Sequence, residues 1–368
     1  MKLIIIILVF FCFFSCKEKG EQLKYDFLVG TYTKKKSQGI YFARFDSNKG
    51  EIKIISQSDS IDNPSFLTFN TNQNRIYAVC ETDGGSVESL SFDRNSGIFK
   101  KLNIVSSGGA HPCHINIDKT GKWVFTGNYT GGSIGVLPIL ENGALGTPTE
   151  IIQHYGSGPN KDRQEKPHVH SVNISPDNKN LYVVDLGTDE IVNYAFDEKV
   201  GKLNEKQRIK VSQGSGPRHF AFHPSGRFAY AIQELTGKIS VFELKDGLLN
   251  FLQEISTLPK GFEGKNACAD IHVSPNGNFL YGSNRFSDTI VSFVIDQQTG
   301  KLKQPHHTTL KGKTPRNFGI TPDGKYLLVA NQDSDSIEVF EIEQTDGHLI
   351  EKNIGIEISM PVCIKFLN

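Results

Sequence analysis

Residues 166–196 read KPHVHSVNISPDNKNLYVVDLGTDEIVNYAF and, after a linker, residues 216–234 read GPRHFAFHPSGRFAYAIQE. Both follow one pattern, in which polar residues head an alternating apolar strand, a Pro-led turn follows, and a second strand ends in an acid. The first copy opens with His168 and His170 and closes at Asp185, and the second opens with Arg218 and His219 and closes at Glu234. The start of one strand and the end of its antiparallel partner lie at the same end of a hairpin. Titratable groups are therefore gathered at one end of each copy.

The pattern recurs along the chain. First strands begin as PSFLTF at Pro64, PCHINI at Pro112, VHSVNI at Val169, PRHFAF at Pro217, CADIHV at Cys268, PRNFGI at Pro315 and PVCIKF at Pro361, spaced 46 to 57 residues apart. Turns such as Pro224-Ser225-Gly226 and Pro322-Asp323-Gly324 join a residue fixed at negative φ to one that tolerates positive φ. Second strands follow (IYAVCE, VFTGNY, LYVVDL, AYAIQE, LYGSNR, LLVANQ), then a third, then a Gly-led turn into a fourth. A period near 50 built from short strands predicts an all-β, seven-bladed propeller with four-stranded antiparallel blades. The seventh blade is split: PVCIKF supplies its first strand and residues 27–56 the rest, so pairing of the C-terminal and N-terminal strands closes the ring. The longest interval contains an insertion, residues 154–165, that enters at His168 and reads as a lid or rim.

Composition agrees. Thirty-five glycines and 25 Phe beside 2 Met and 1 Trp suit strands and tight turns, and 40 basic against 40 acidic residues give no general attraction to nucleic acid or anionic membrane. Four cysteines beyond the leader (Cys80, Cys113, Cys268, Cys363) have no paired zinc-ligand spacing and read as small buried thiols.

The N-terminus stands outside the fold. Lys2, an apolar run from Leu3 to Phe14 too short to span about 30 Å of hydrocarbon, and Ser15 before Cys16 resemble a bacterial lipoprotein signal. Phe13 departs from the aliphatic residue usual three places before the cysteine; an ordinary secretory signal and an uncleaved anchor are the alternatives. The expected division is a signal over 1–15, a lipid-attached tether over 16–25 and the propeller over 26–368. The protein is then exported and anchored to the cell envelope, touching membrane only through its N-terminal lipid.

In a propeller the first strand of each blade lines the axis, so the strand heads surround one mouth of the channel. That places His168, His170, Arg218, His219, Asp270 and Arg316 at a common opening, with the second-strand ends Glu81, Asn128, Asp185, Glu234, Arg285 and Gln332 as the next ring out. His168, His219, Asp270, Arg316, Gln332 and Asn128 are expected to contact substrate. Arginines at a narrow mouth await an anion, since their forks match the oxygens of carboxylate or phosphate; structural salt bridges from Arg218, Arg285 or Arg316 to Glu234 or Asp270 are the alternative. His168 and His170 are expected to face opposite ways, and no carboxylate-rich set accompanies them, so neither a metal nor another cofactor is expected. His223, His272, Asp177 and Asp323 read as packed histidines and turn formers, and Asp185 divides evenly between loop cap and site residue.

From Phe27 to Phe366 the chain resembles the seven-bladed propeller lactonases typified by 6-phosphogluconolactonase and related to a carboxy-muconate cycloisomerase. The resemblance is carried by PCHINIDKTGKWVFTGNYTGGSI, GSGPNKDRQEKPHVHSV, DLGTDEI, GPRHFAFHPSGRFAYAIQEL, SPNGNFLYGSNR and TPRNFGITPDGKYLLVANQ. It implies His170, Arg218, Glu234 and Arg285 as catalytic residues and a small anionic lactone as substrate. Asp270 stands where members often carry Glu, a departure that bears on the pocket. Three activities fit these residues: hydrolysis of a sugar-acid lactone, a cycloisomerase or lyase reaction at carbon, and ligand binding without chemistry. If Cys16 carries the lipid, Cys16→Ala will shift the protein into the aqueous phase on detergent partitioning and lower its intact mass by the acyl groups; an unchanged partition and mass refutes the anchor.

Overall fold

The computed structural model describes residues 23–368. Cys16, the whole signal and most of the tether fall outside the described residues. Among them, seven antiparallel sheets of four strands each form a ring. Six blades are contiguous in sequence; the third, for example, comprises Val169–Ile174, Asn180–Asp185, Glu190–Asp197 and Lys202–Lys210. The middle strands are buried on both faces because blades stack on either side, as at Asn180–Asp185 and Phe228–Gln233. Outer strands such as Lys202–Lys210 alternate toward solvent.

The seventh sheet runs Pro361–Phe366, Lys24–Thr31, Tyr41–Asp46, Glu51–Gln57. Phe27 pairs with Phe366, Val29 with Ile364 and Gly30 with Cys363, which closes the ring. The strand begins earlier than expected, at Lys24, and so takes up the last two residues assigned to the tether. Burial explains this: Tyr25 stacks on Phe45 at 5.8 Å and donates from its hydroxyl to Asp323 Oδ2 at 2.8 Å. In the opposite sense, PSFLTF joins its ladder only over Leu67–Phe69.

Blades are fastened by a repeated clasp. The tyrosine early in the second strand (Tyr77, Tyr182, Tyr230, Tyr281) donates to the carbonyl of Gly143, Gly247, Gly300 or Gly347 in the next blade at 2.6 to 3.1 Å. Each of these glycines sits at φ between 70° and 86°, a left-handed conformation that side chains resist. The four cysteines are buried free thiols.

The insertion is pinned at both ends. His154 Nδ1 meets Asp185 Oδ2 at 2.8 Å, Gln164 Nε2 donates to Leu186 O and Asp189 Oδ1 at 2.8 and 2.7 Å, and His168 N–H donates to Asp185 Oδ1 at 2.8 Å. It forms a fixed rim across one end of the channel.

The closing strand and the residue after it bury Val362, Ile364 and Leu367. At roughly 1.5–3 kcal/mol each, their loss rivals the whole stability of a domain, about 5–15 kcal/mol. Deleting residues 361–368 is therefore expected to abolish cooperative thermal unfolding, and a truncated chain melting within a few degrees of the parent refutes closure by this strand.

Candidate active site

A one-residue irregularity at the head of the inner strands builds the mouth. The ladder skips between Pro112 and His114, Val169 and Ser171, Pro217 and His219, and Pro315 and Asn317. The bulged residues are Cys113, His170, Arg218 and Arg316, and a bulge re-aims the side chain it frees from pairing. Cys113, Arg218 and Arg316 line a small void at the axis with Ser65, Glu81 and Val362. The expectation that His168 and His170 face opposite ways fails, because residues two apart along a strand share a face: both rings pack on Tyr129, at 4.4 and 5.4 Å.

Glu234 is the electrostatic centre. Its carboxylate lies 3.0 Å from Arg218 Nε, 2.9 Å from Arg285 Nη2 and 2.5 Å from Arg163 Nη2. Burial pushes the carboxyl up, but Arg285, Arg218 and Arg163 outweigh it and hold it at about 2. The Arg218 contact is an ion pair without hydrogen-bond alignment, so the buried Nε–H has no acceptor. Both aligned bonds of Arg218 come from Nη1, to Ala269 O at 2.6 Å and His219 Nε2 at 3.2 Å. Burial, with Arg316 and Arg285 nearby, lowers this guanidinium to about 10, still a cation at neutral pH.

Arg316 makes no ion pair among the described residues. Its Nη2 donates to the Tyr32 hydroxyl at 2.9 Å, and Tyr32 in turn donates to Glu81 at 3.0 Å. Four guanidinium groups thus face two carboxyl groups. His170 sits among them, 3.8 Å by Nδ1 from Cys113 Sγ and 5.4 Å by ring centroid from His219. Burial first, then Arg218, His219 and Arg316, lower its pKa well below the usual imidazole range, so it is neutral.

His170, Arg218, Glu234 and Arg285 are therefore together, with Arg316 beside them. Other expected contacts lie elsewhere. Asn128 is buried in the interface between blades, donating to Ser107 O at 3.2 Å and Ser133 Oγ at 3.1 Å. It is one residue too early: alternation turns Asn128 sideways and Tyr129 toward the mouth. The same offset makes Asp185 a loop anchor and Leu186 its ring counterpart. Gln332 donates to exposed Asp333 at 2.9 Å. His168 has both ring nitrogens engaged, by Tyr129 O at 3.0 Å and Glu165 at 3.1 Å, and supports Tyr129 from behind.

His219 and Asp270 occupy a deeper layer, one residue beyond the bulge. Asp270 is 2% exposed and accepts from His219 Nδ1 at 2.7 Å, His272 Nε2 at 2.9 Å and Asn317 Nδ2 at 2.5 Å. It is a hub of the channel wall rather than a mouth residue. With His114 and Lys365 these groups line a cavity of about 330 Å³ toward the other end of the channel. Two surface grooves of about 740 and 720 Å³ lie among turns and outer strands away from the converging arginines, so size does not mark the site. His223 and the turn formers Asp177 and Asp323 behave as expected, bonding Gly277 O, Ser175 and Thr321 respectively. Tyr32, Tyr129 and Arg163 were missed by sequence reasoning. The first two end second strands at the position of Glu81 and Glu234, a signal that correct register would have given; Arg163 sits in a loop with no periodicity to read.

Three buried histidines are held neutral. Burial and Arg218 lower His219 to about 4, and His114 and His170 lie well below their ordinary value, burial being the main cause. The unfolded chain takes up protons at about 6.5 where the folded chain does not, so their contribution is present above that pH and lost as pH falls. For His219 this spans pH 6.5 to about 4 and is worth on the order of 3 kcal/mol. Urea unfolding from pH 7.5 to 4.5 should show a steeper loss in the parent than in His219→Gln; parallel profiles contradict this account.

A profile described as Lactonase, 7-bladed beta-propeller, matches residues 26–366. The chain is 40% identical over 302 residues to a 6-phosphogluconolactonase of Formosa agariphila, covering 79% of this chain and 85% of the relative. It is 34% identical to a 6-phosphogluconolactonase of Bacillus subtilis, with 94% and 99% covered. Among solved structures, the periplasmic gluconolactonase PpgL of Pseudomonas aeruginosa superposes with a TM-score of 0.89 at 32% identity, covering 94% of this chain and 99% of that one. With the match running through every blade and the mouth residues, the chain belongs to the seven-bladed β-propeller lactonase family.

Proposed function

We propose that the protein opens the lactone of an anionic sugar acid with water, in the manner of a 6-phosphogluconolactonase. The observation that carries this reading is the excess of guanidinium over carboxylate around a neutral histidine. The relatives named above support the reaction class, and the periplasmic relative supports export. The lipid at Cys16 rests on the sequence alone.

Water held by His170 attacks the ring carbonyl as His170 takes its proton. The carbonyl oxygen becomes an oxyanion, and Arg218, with an unaligned Nε–H turned from its carboxylate partner, donates to it. Collapse breaks the bond to the ring oxygen, which receives the proton back from His170 and leaves as a hydroxyl. Arg285 and Arg316 hold the anionic group, whose charge offsets theirs and raises the basicity of His170 when the base is needed. Glu234, held at about 2, is ionised at neutral pH and orients the arginines; the alternative role of proton donor does not suit it.

Removal of an oxyanion donor costs about 100-fold or more in kcat. His170→Ala and Arg218→Ala are each expected to fold and lose at least that much, after correction for spontaneous hydrolysis near pH 6.5. With oxygen-labelled water, label should enter the product carboxylate. Product without label indicates a cycloisomerase or lyase reaction instead, and retention of most of kcat by His170→Ala removes it as the base.

A further inference from the structure

The void at the axis, bounded by Ser65, Glu81, Cys113, Arg218 and Arg316, is only about 10 Å³. That is the space of about one water, far less than a sugar lactone. Something must yield before a sugar lactone fits against Arg218 in this void. Of the three arginines on Glu234, Arg218 and Arg285 have side chains 2% and 13% exposed, whereas Arg163 is 39% exposed. Arg163 is also the one supplied by the pinned insertion rather than by a blade strand.

Its bonding is one-sided. Nη2 donates to Glu234 Oε1 at 2.5 Å and to the Tyr129 hydroxyl at 3.3 Å, while Nε and Nη1 have no acceptor among the described residues. Glu234 keeps two buried guanidinium partners if Arg163 leaves, so the departure strands no buried carboxylate, which is what makes breaking most buried ion pairs expensive. The anchors at His154, Gln164 and His168 fix the loop's path, so the side chain alone has to swing.

We propose that Arg163 is a gate and an anion clamp: paired with Glu234 it closes the empty mouth, and on entry it exchanges that carboxylate for the anionic group of the ligand. This rests on the reading of the mouth as a lactone site and adds the residue that selects charged over neutral lactones. A guanidinium fork suits a phosphate or carboxylate, and the exchange conserves the number of ion pairs while opening the way in.

The test compares glucono-δ-lactone with its 6-phosphate in the parent, Arg163→Ala and Arg163→Lys. In Arg163→Ala the ratio of KM for the phosphorylated to the neutral lactone should rise tenfold or more, and Arg163→Lys should recover part of it. An unchanged ratio overturns the clamp even if kcat falls. Binding of inorganic phosphate by calorimetry needs no turnover: Kd should weaken about tenfold in Arg163→Ala, and equal affinity, or no binding to the parent at millimolar phosphate, overturns it too. A parent that binds phosphate through Arg163 yet opens neither lactone would sink the lactonase reading and leave the clamp standing.

Discussion

Pairing of residues 27–31 with 361–366 is the constraint on which the rest depends, because it fixes seven inner strands around one axis. A blade alone would present its polar head to water. Held in a closed ring, those heads face each other across the axis, and groups far apart in sequence, such as Tyr32 and Arg316, come within 2.9 Å. The tyrosine clasps between blades act in the same direction, since each ties a second strand to its neighbour's turn.

Convergence has an electrostatic cost. Four guanidinium groups in a desolvated mouth repel one another, and Arg316 with Arg285 lowers the proton affinity of Arg218. Glu234 offsets part of this by holding three of the four. Hydrophobic residues of similar volume at such a centre would often stabilise a fold; here the imperfect alignment of Arg218 Nε and an Arg316 without an ion pair among the described residues leave donors that a ligand can satisfy. Burial first, and then the same positive surroundings, keep His170 unprotonated, which is the protonation state a base requires.

The repeat made the fold legible, because turn chemistry and strand alternation recur in every blade and each copy corroborates the others. Residues that the repeat gathers at the mouth were also legible: His170, Arg218, Glu234 and Arg285 occur at the heads of first strands or the ends of second strands. What failed was single-residue register. Asn128 and Asp185 are as polar as a site residue and end their strands visibly, but alternation has period two, so an offset of one sends a side chain between blades rather than to the mouth. The bulges were invisible for a related reason. An extra residue in a strand leaves the apolar pattern beyond it intact and alters only the two or three side chains at the head.

The deeper layer shows how His219, at the floor of the axial void, and Asp270 behind it support the mouth. Arg218 must be held in place by an acceptor that does not neutralise it, and a second carboxylate there would do both. His219 provides a neutral acceptor: its Nδ1–H is committed to Asp270 at 2.7 Å, which leaves the Nε2 lone pair for Arg218 Nη1 at 3.2 Å. With its pKa at about 4, the ring stays an acceptor throughout the neutral range, whereas protonated it would turn a donor against a donor. The charge of Asp270 is spread over His219, His272, Asn317 and the backbone N–H groups of Ile271 and Phe318. Arg218 is thereby oriented from below while its Nε–H, beside Glu234, has no aligned acceptor among the described residues. The short acid at position 270 contributes by fixing a tautomer one layer away, a role that its place among the strand heads could not disclose.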